Sequence, residues 1–132
     1  EDTATVKRAF IHYGGAKPLK VEVSYRNRFI GKSAITVING VLVYNINWLF
    51  SMKVNAFTGR DKIRDLYDVV FIFLNYRGSL SSDNIAFFRN TLIYGKSIEY
   101  VDYLLKTQRD DLIDSNVLAE GFMSMYYALG LV

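Results

Sequence analysis

Apolar residues recur along this chain at two spacings, and the change between them divides it. Up to about residue 45 the spacing is the alternation of β-strands. "TATVKRAFIHY" is rich in β-branched and aromatic residues and ends at Gly14-Gly15, a turn signal. "LKVEVSYR" places Leu19, Val21, Val23 and Tyr25 on one face and Lys20, Glu22, Ser24 and Arg26 on the other. "AITVINGVLVYNI" carries Asn39-Gly40 between two apolar runs, a hairpin signal because both residues tolerate positive φ. These segments predict a small, mostly antiparallel sheet over residues 4–45.

From Asn45 onward the apolar spacing is helical. Asn47 is the expected cap of a first helix reaching about Phe57, with Ile46, Leu49, Phe50, Lys53 and Phe57 on one stripe, and Thr58-Gly59 ends it. A second helix is predicted from about Arg60 to Tyr76, stopping near Gly78. Ser81-Ser82-Asp83 opens a third that ends near Gly95, and Ser97 caps a fourth. The last runs from about Ser115 to Leu129, with Leu118, Phe122, Met125 and Leu129 inward. Strands followed by a helical bundle is an α+β order.

Composition narrows the chemistry. Half of the chain (51%) is hydrophobic and 15% is aromatic, so it can build a core of large flat side chains. A net charge of +3 is compatible with a nucleotide or nucleic-acid partner and with many others. With no cysteine, disulfides, thiolate metal sites and cysteine nucleophiles are excluded. A single histidine, His12, excludes zinc sites built from several, and nothing near it resembles a nucleophile elbow. No apolar run approaches the roughly 18 residues of a membrane span, and no signal peptide is visible, so a cytoplasmic protein is expected.

Three charges do not suit their surroundings. Lys53 lies on the apolar stripe of the first helix, where it must snorkel outward, pair with an acid, or point into a cleft. Asp68 leads into "VVFIFL", a run apolar on every face, where a carboxylate calls for a partner; Arg64 and Lys53 are the candidates. Glu22 stands on the polar face of a strand, where it either meets water or offers a hard oxygen ligand to Mg²⁺. Arg60, Arg64 and Asp68 fall at i, i+4 spacing, beside Asp61 and Asp65. For Asp61 and Lys62 the expectation is a solvated helix start; Arg64 and Asp65 stay open. Gly14-Gly15 lacks a phosphate-loop frame and reads as a β-turn. Tyr25, Tyr67, Tyr126 and Tyr127 read as core or rim residues before base-stacking platforms.

In this order, "LKVEVSYR", a hairpin and then "INWLFSMKVNAFTGRDKIRDLYDVVFI" resemble the second half of a nucleotidyltransferase domain. The likeness is to the bacterial family that includes the AbiE-type abortive-infection toxins. Its signature after the sheet, K-x-x-A, then R-x-x-x-R-D-hydrophobic-aromatic-D, reads here Lys53, Ala56, Arg60, Arg64, Asp65, Leu66, Tyr67, Asp68. The resemblance covers residues 18–76. It implies transfer of a nucleotidyl group from an NTP to an acceptor with Mg²⁺ as cofactor. By the same resemblance Glu22 would support the metal or act as base. Lys53 would contact the triphosphate, and Asp68 would orient Lys53 or the nucleotide. Arg60 or Arg64 would bind phosphate or brace Asp65. RNA is the acceptor and an antitoxin protein the partner that such a toxin implies, with no membrane involved.

The family's first motif is a Gly-Gly or Gly-Ser turn followed about ten residues later by a D-x-D pair on a strand. It is not found ahead of Glu22. The chain is therefore expected to be the C-terminal part of a larger protein and inactive alone; a degenerate homologue is the other option. Residues 1–78 would complete a nucleotidyltransferase-like domain whose N-terminal portion is the partner, with residues 79–132 a helical region packed on it. A non-catalytic α+β module that binds a partner is the competing reading. A carboxylate hydrolase built on Asp110, Asp111 and Asp114 is weaker, because that acidic knot reads as a solvated cap.

Overall fold

The computed structural model describes residues 3–25 and 30–132. Arg26, assigned above to a strand's polar face, lies outside them. The chain divides into two compact units, residues 1–35 and 36–132.

The first unit is built on an antiparallel hairpin of β1 (Val6–Ile11) and β2 (Leu19–Ser24). Its register sets Val6 opposite Ser24, Arg8 opposite Glu22 and Ile11 opposite Leu19. Between the strands the chain reverses through bends at residues 14–17, with Gly14 at φ +86°, a conformation that favours glycine. The alternation in β2 does not separate a buried from a wet face: Leu19, Val21 and Val23 are all exposed. His12, just past β1, is exposed as well.

The second unit opens with the hairpin of β3 (Ile35–Ile38, its first residue in the first unit) and β4 (Val41–Tyr44). Asn39 and Gly40 take φ of 51° and 79°, the two positive values that a tight two-residue turn needs. The strands thus form two separate two-stranded sheets among the described residues. Five helices follow: α1 (Ile46–Gly59), α2 (Ile63–Tyr76), α3 (Ser82–Tyr94), α4 (Ile98–Thr107) and α5 (Ser115–Ala128). The α+β order read from the spacing is the order observed.

Each helical stripe meets the others in one core. Phe50, Val54 and Phe57 of α1, Leu66, Val69 and Phe73 of α2, Phe88 and Leu92 of α3, Val101 and Leu104 of α4, and Phe122 and Met125 of α5 are all buried. Phe88 sits at its centre, edge-on to Phe50 with ring centroids 5.6 Å apart and tilted against Phe73 at 6.5 Å. α2 packs on both α1 and α5. Among the described residues no helix is long and apolar enough to cross a membrane.

Two boundaries differ from expectation. Asn45, not Asn47, caps α1, its side chain accepting from the Trp48 amide at 2.8 Å. Asn47 instead accepts from the Ser81 amide at 2.8 Å and the Asn84 side chain at 2.9 Å, tying the starts of α1 and α3. The second correction concerns Arg60, which is not in α2. It is extended at φ −155°, ψ 156°, and closes α1. Arg60–Lys62 is a short link, and the supposed i, i+4 row from Arg60 through Arg64 to Asp68 does not exist on one helix.

Candidate nucleotide site

Lys53 and Asp68 come together across the α1–α2 pair. The Lys53 ammonium donates to Asp68 Oδ2 at 2.6 Å, and both side chains are about one-third exposed. Of the two partners considered for Asp68, the structure selects Lys53. α1 packs on α2 across the short link, so that Lys53, nearly two turns before the end of α1, meets Asp68 in the second turn of α2. The pair is neither snorkelling into bulk water nor sealed in the core. It sits where a polyanion could reach the ammonium while the carboxylate holds it in place.

Asp65, one turn earlier on α2, is buried at 2% exposure. Arg60 clamps it with two parallel bonds, Nε to Oδ2 at 2.6 Å and Nη2 to Oδ1 at 2.8 Å. This hydrogen-bonded carboxylate raises the Arg60 pKa above its ordinary value. Of the two roles open to Arg60, bracing Asp65 is the one its geometry supports. Arg64 turns outward and donates to Asp110, in the link between α4 and α5. That bond raises the Arg64 pKa and, with the Leu112 amide, lowers that of Asp110.

The link between α1 and α2 is held from two further sides. Gln108 donates to the Asp61 carbonyl at 2.6 Å and accepts from the Ile63 amide at 2.9 Å. Lys96 is buried yet donates to the Asp61 carboxylate at 2.7 Å and to the Tyr100 hydroxyl at 3.1 Å. Its ammonium also lies 4.2 Å from the Tyr100 ring centroid and 5.7 Å from that of Phe57. Burial alone would lower the Lys96 pKa, but its bonds to Asp61 and Tyr100 outweigh it and the net direction is upward. Asp61, which also accepts from Tyr100, is lowered, Lys96 being the larger cause. Asp61 is therefore a brace and not merely a solvated helix start.

Two open hollows border these groups. One, of about 370 Å³, is lined by Arg60, Lys62, Arg64, Asp65, Arg109 and Asp110 among others. The next, of about 320 Å³, is lined by Arg64, Tyr67, Asp68, Asp110, Leu112 and Ile113. The first is lined by four cations and two acids, the second by Arg64 with Asp68 and Asp110.

Glu22 belongs to the first unit. Its carboxylate accepts from Arg8 across the hairpin at 3.0 Å and lies 2.6 Å from the Lys20 ammonium. Lys20, then Arg8, holds its pKa below the ordinary glutamate value. Among the described residues no three of His, Asp or Glu converge as ligands.

Over residues 3–117 the sequence matches the family described as "Nucleotidyl transferase AbiEii toxin, Type IV TA system". The chain belongs to the AbiEii nucleotidyltransferase family. Among curated proteins none matches it. Among solved structures it is similar to JHP933 from Helicobacter pylori, with 26% identity and a TM-score of 0.63 over 98% of this chain. It is also similar to a candidate nucleotidyltransferase from H. pylori, with 25% identity and a TM-score of 0.67 over 98% of this chain. The chain spans 60% and 62% of the length of those two proteins.

In this AbiEii chain, reasoning from spacing singled out Lys53, Asp68, Arg60, Arg64 and Asp65, which the structure gathers at and beside the α1–α2 link. It missed Gln108, Lys96 and Tyr100, and it read Asp110 as part of a solvated cap rather than as the partner of Arg64. The acidic knot splits on folding: Asp110 takes Arg64, while Asp114 caps α5 through the amides of Asn116 and Val117. No local pattern announces the Arg64–Asp110 contact, which joins residues 46 positions apart.

Proposed function

We propose that this chain carries part of the nucleotide-binding site of a nucleotidyltransferase that moves a nucleotidyl group from an NTP to an acceptor. RNA is the proposed acceptor, a toxin–antitoxin or phage-defence system the proposed setting, and an antitoxin protein the proposed partner. The observation that carries the reading is the Lys53–Asp68 pair, a half-buried cation and carboxylate from neighbouring helices, whose Asp68 lines a hollow that Arg64 also borders. Catalysis of phosphoryl transfer is largely positioning and charge stabilisation. Lys53 suits that task because a compact ammonium can contact phosphate oxygens while Asp68 fixes its position. Arg64 would exchange Asp110 for a phosphate, and Arg60 would keep Asp65 in place beneath it. Mg²⁺ is the cofactor proposed for the complete enzyme, where it would neutralise phosphate charge. Glu22 is proposed as the strand carboxylate supporting that metal or acting as base.

Incubation of the full-length protein with Mg²⁺, each labelled NTP and total RNA tests this reading. Label should enter RNA with the parent, and Lys53→Ala and Asp68→Ala should each abolish transfer while thermal unfolding stays cooperative. Near-normal transfer by either variant would remove that residue from the assignment. One observation favours a non-catalytic binding module instead: Lys53, Arg60 and Arg64 each already hold an acid. Absence of both label transfer and NTP binding would decide for the module.

A further inference from the structure

The exposed side of α2 is as ordered as its buried side. Arg64, Tyr67, Asp68 and Phe71 follow one another at i, i+3, i+4 and i+7, a single helical face. The run after Asp68 is not buried all round, contrary to expectation: Phe71 is 46% exposed and Leu74 45%, and Tyr67, just before Asp68, is 39% exposed. Their rings are nonetheless stacked, 6.1 Å between centroids and 19° between planes.

Tyr67 is a wall shared by two hollows. On one side lies the polar hollow with Arg64, Asp68 and Asp110. On the other, between α2 and α5, lies an apolar hollow of about 220 Å³ with Val70, Phe71, Leu74, Val117 and Gly121. Gly121 lets α5 approach there, since a Cβ on it would stand 3.1 Å from Val70 Cγ1. No charged residue lines this second hollow. Moving along α2, cationic groups thus give way to flat apolar surface at Tyr67. A nucleotide divides the same way, a polyanion at one end and a flat heterocycle at the other.

We propose that Tyr67, backed by Phe71, is a stacking shelf for one nucleobase whose phosphates extend toward Lys53 and Arg64. The inference rests on the nucleotidyltransferase reading and adds to it the residue that receives the base. Charge complementarity sets the direction: the cations Lys53 and Arg64 lie at the Asp68 end, and the uncharged hollow lies at the Phe71 end. Stacking on an aromatic ring tolerates every base, because each has a π-face. The shelf therefore adds affinity for a nucleobase without selecting among them. The base is that of the incoming NTP or that of the acceptor's terminal nucleotide, and the two are separable by experiment.

The full-length protein is titrated calorimetrically with an NTP, with inorganic tripolyphosphate and with a short single-stranded RNA. Tyr67→Leu should weaken NTP binding about tenfold, the loss expected for one stacked base, and leave tripolyphosphate binding unchanged. Tyr67→Phe, which keeps the ring, should bind as the parent does. A loss confined to the RNA would place the acceptor's base on the shelf. Tyr67→Trp supplies a readout that does not depend on a weakened variant: its added emission, beyond that of Trp48, should be quenched by the nucleobase-bearing ligand and not by tripolyphosphate. Unchanged affinity of Tyr67→Leu for both NTP and RNA, or no quenching in Tyr67→Trp by either, overturns the shelf while leaving a binding-competent parent. A parent that binds neither NTP nor tripolyphosphate overturns the underlying reading too.

Discussion

The β1–β2 hairpin and the helical unit both carry large apolar side chains, but only the second hides them. Phe10, Ile11, Leu19 and Val23 in the hairpin are about half exposed, while Phe50, Phe57, Phe73, Phe88 and Phe122 are at 2% or less. A two-stranded ribbon has no second layer of its own, and its side chains leave alternately from two faces. Five helices supply one stripe each to a shared centre. Charges divide likewise. Glu22 shares two cations at the surface of the hairpin, whereas Asp65 and Lys96 are buried in the helical unit and each is held by specific partners. In the hairpin, ion pairs lie along a surface. In the helical unit they lock the α1–α2 link that carries the candidate site.

Four substitutions probe that contrast. Phe88→Ala should have the largest effect, removing the ring between Phe50 and Phe73 at a cost of about 3–5 kcal/mol, read in denaturant unfolding of the helical unit. Retention of parental stability would mean that the core does not centre on Phe88. Arg60→Met should come next. It leaves the Asp65 carboxylate buried without its clamp, an expected loss of about 1–3 kcal/mol for a stranded buried acceptor. A concurrent loss of nucleotide affinity would show that the link positions the site.

Asp61→Asn is expected to act in a pH-dependent way. The Asp61 pKa is lowered from 3.8 on folding, first by Lys96 and then by Tyr100, so its stabilisation is present above about 4 and fades as pH falls through the lower folded value. The variant should therefore melt below the parent at neutral pH, and the two melting temperatures should converge in strong acid; a constant difference would deny Asp61 this role. The smallest effect is expected for Arg8→Ala, since pairs as exposed as Arg8–Glu22 contribute little. Its melting temperature should be indistinguishable from the parent's. A marked drop would place the hairpin among the stabilising parts of the molecule.

Much of the fold was legible because its signals are local. Ser81, Ser97 and Asn39-Gly40 act within three or four residues of themselves, and each does what its pattern predicts. Asn45 and Asn47 show where local signals stop. Two asparagines two residues apart can both cap, and the choice fell on Asn45 because Asn47 is engaged by Ser81 and Asn84 of α3. Arg60 was misplaced for a related reason. The helical spacing of Arg60, Arg64 and Asp68 is real in the sequence, but Asp65 gains its clamp from an Arg60 that has left the helix.

By itself, then, the sequence determined the α+β order, the apolar stripes and the K…RDLYD residues that carry the family resemblance, because periodicity and motif are properties of neighbours along the chain. Tertiary structure decided which acid each cation holds: Asp68 for Lys53, Asp65 for Arg60, Asp110 for Arg64 and Asp61 for Lys96. It also left Phe71 and Leu74 exposed in a run whose sequence reads as buried on every side. Both outcomes depend on how helices cross, and a crossing joins residues that share no local pattern.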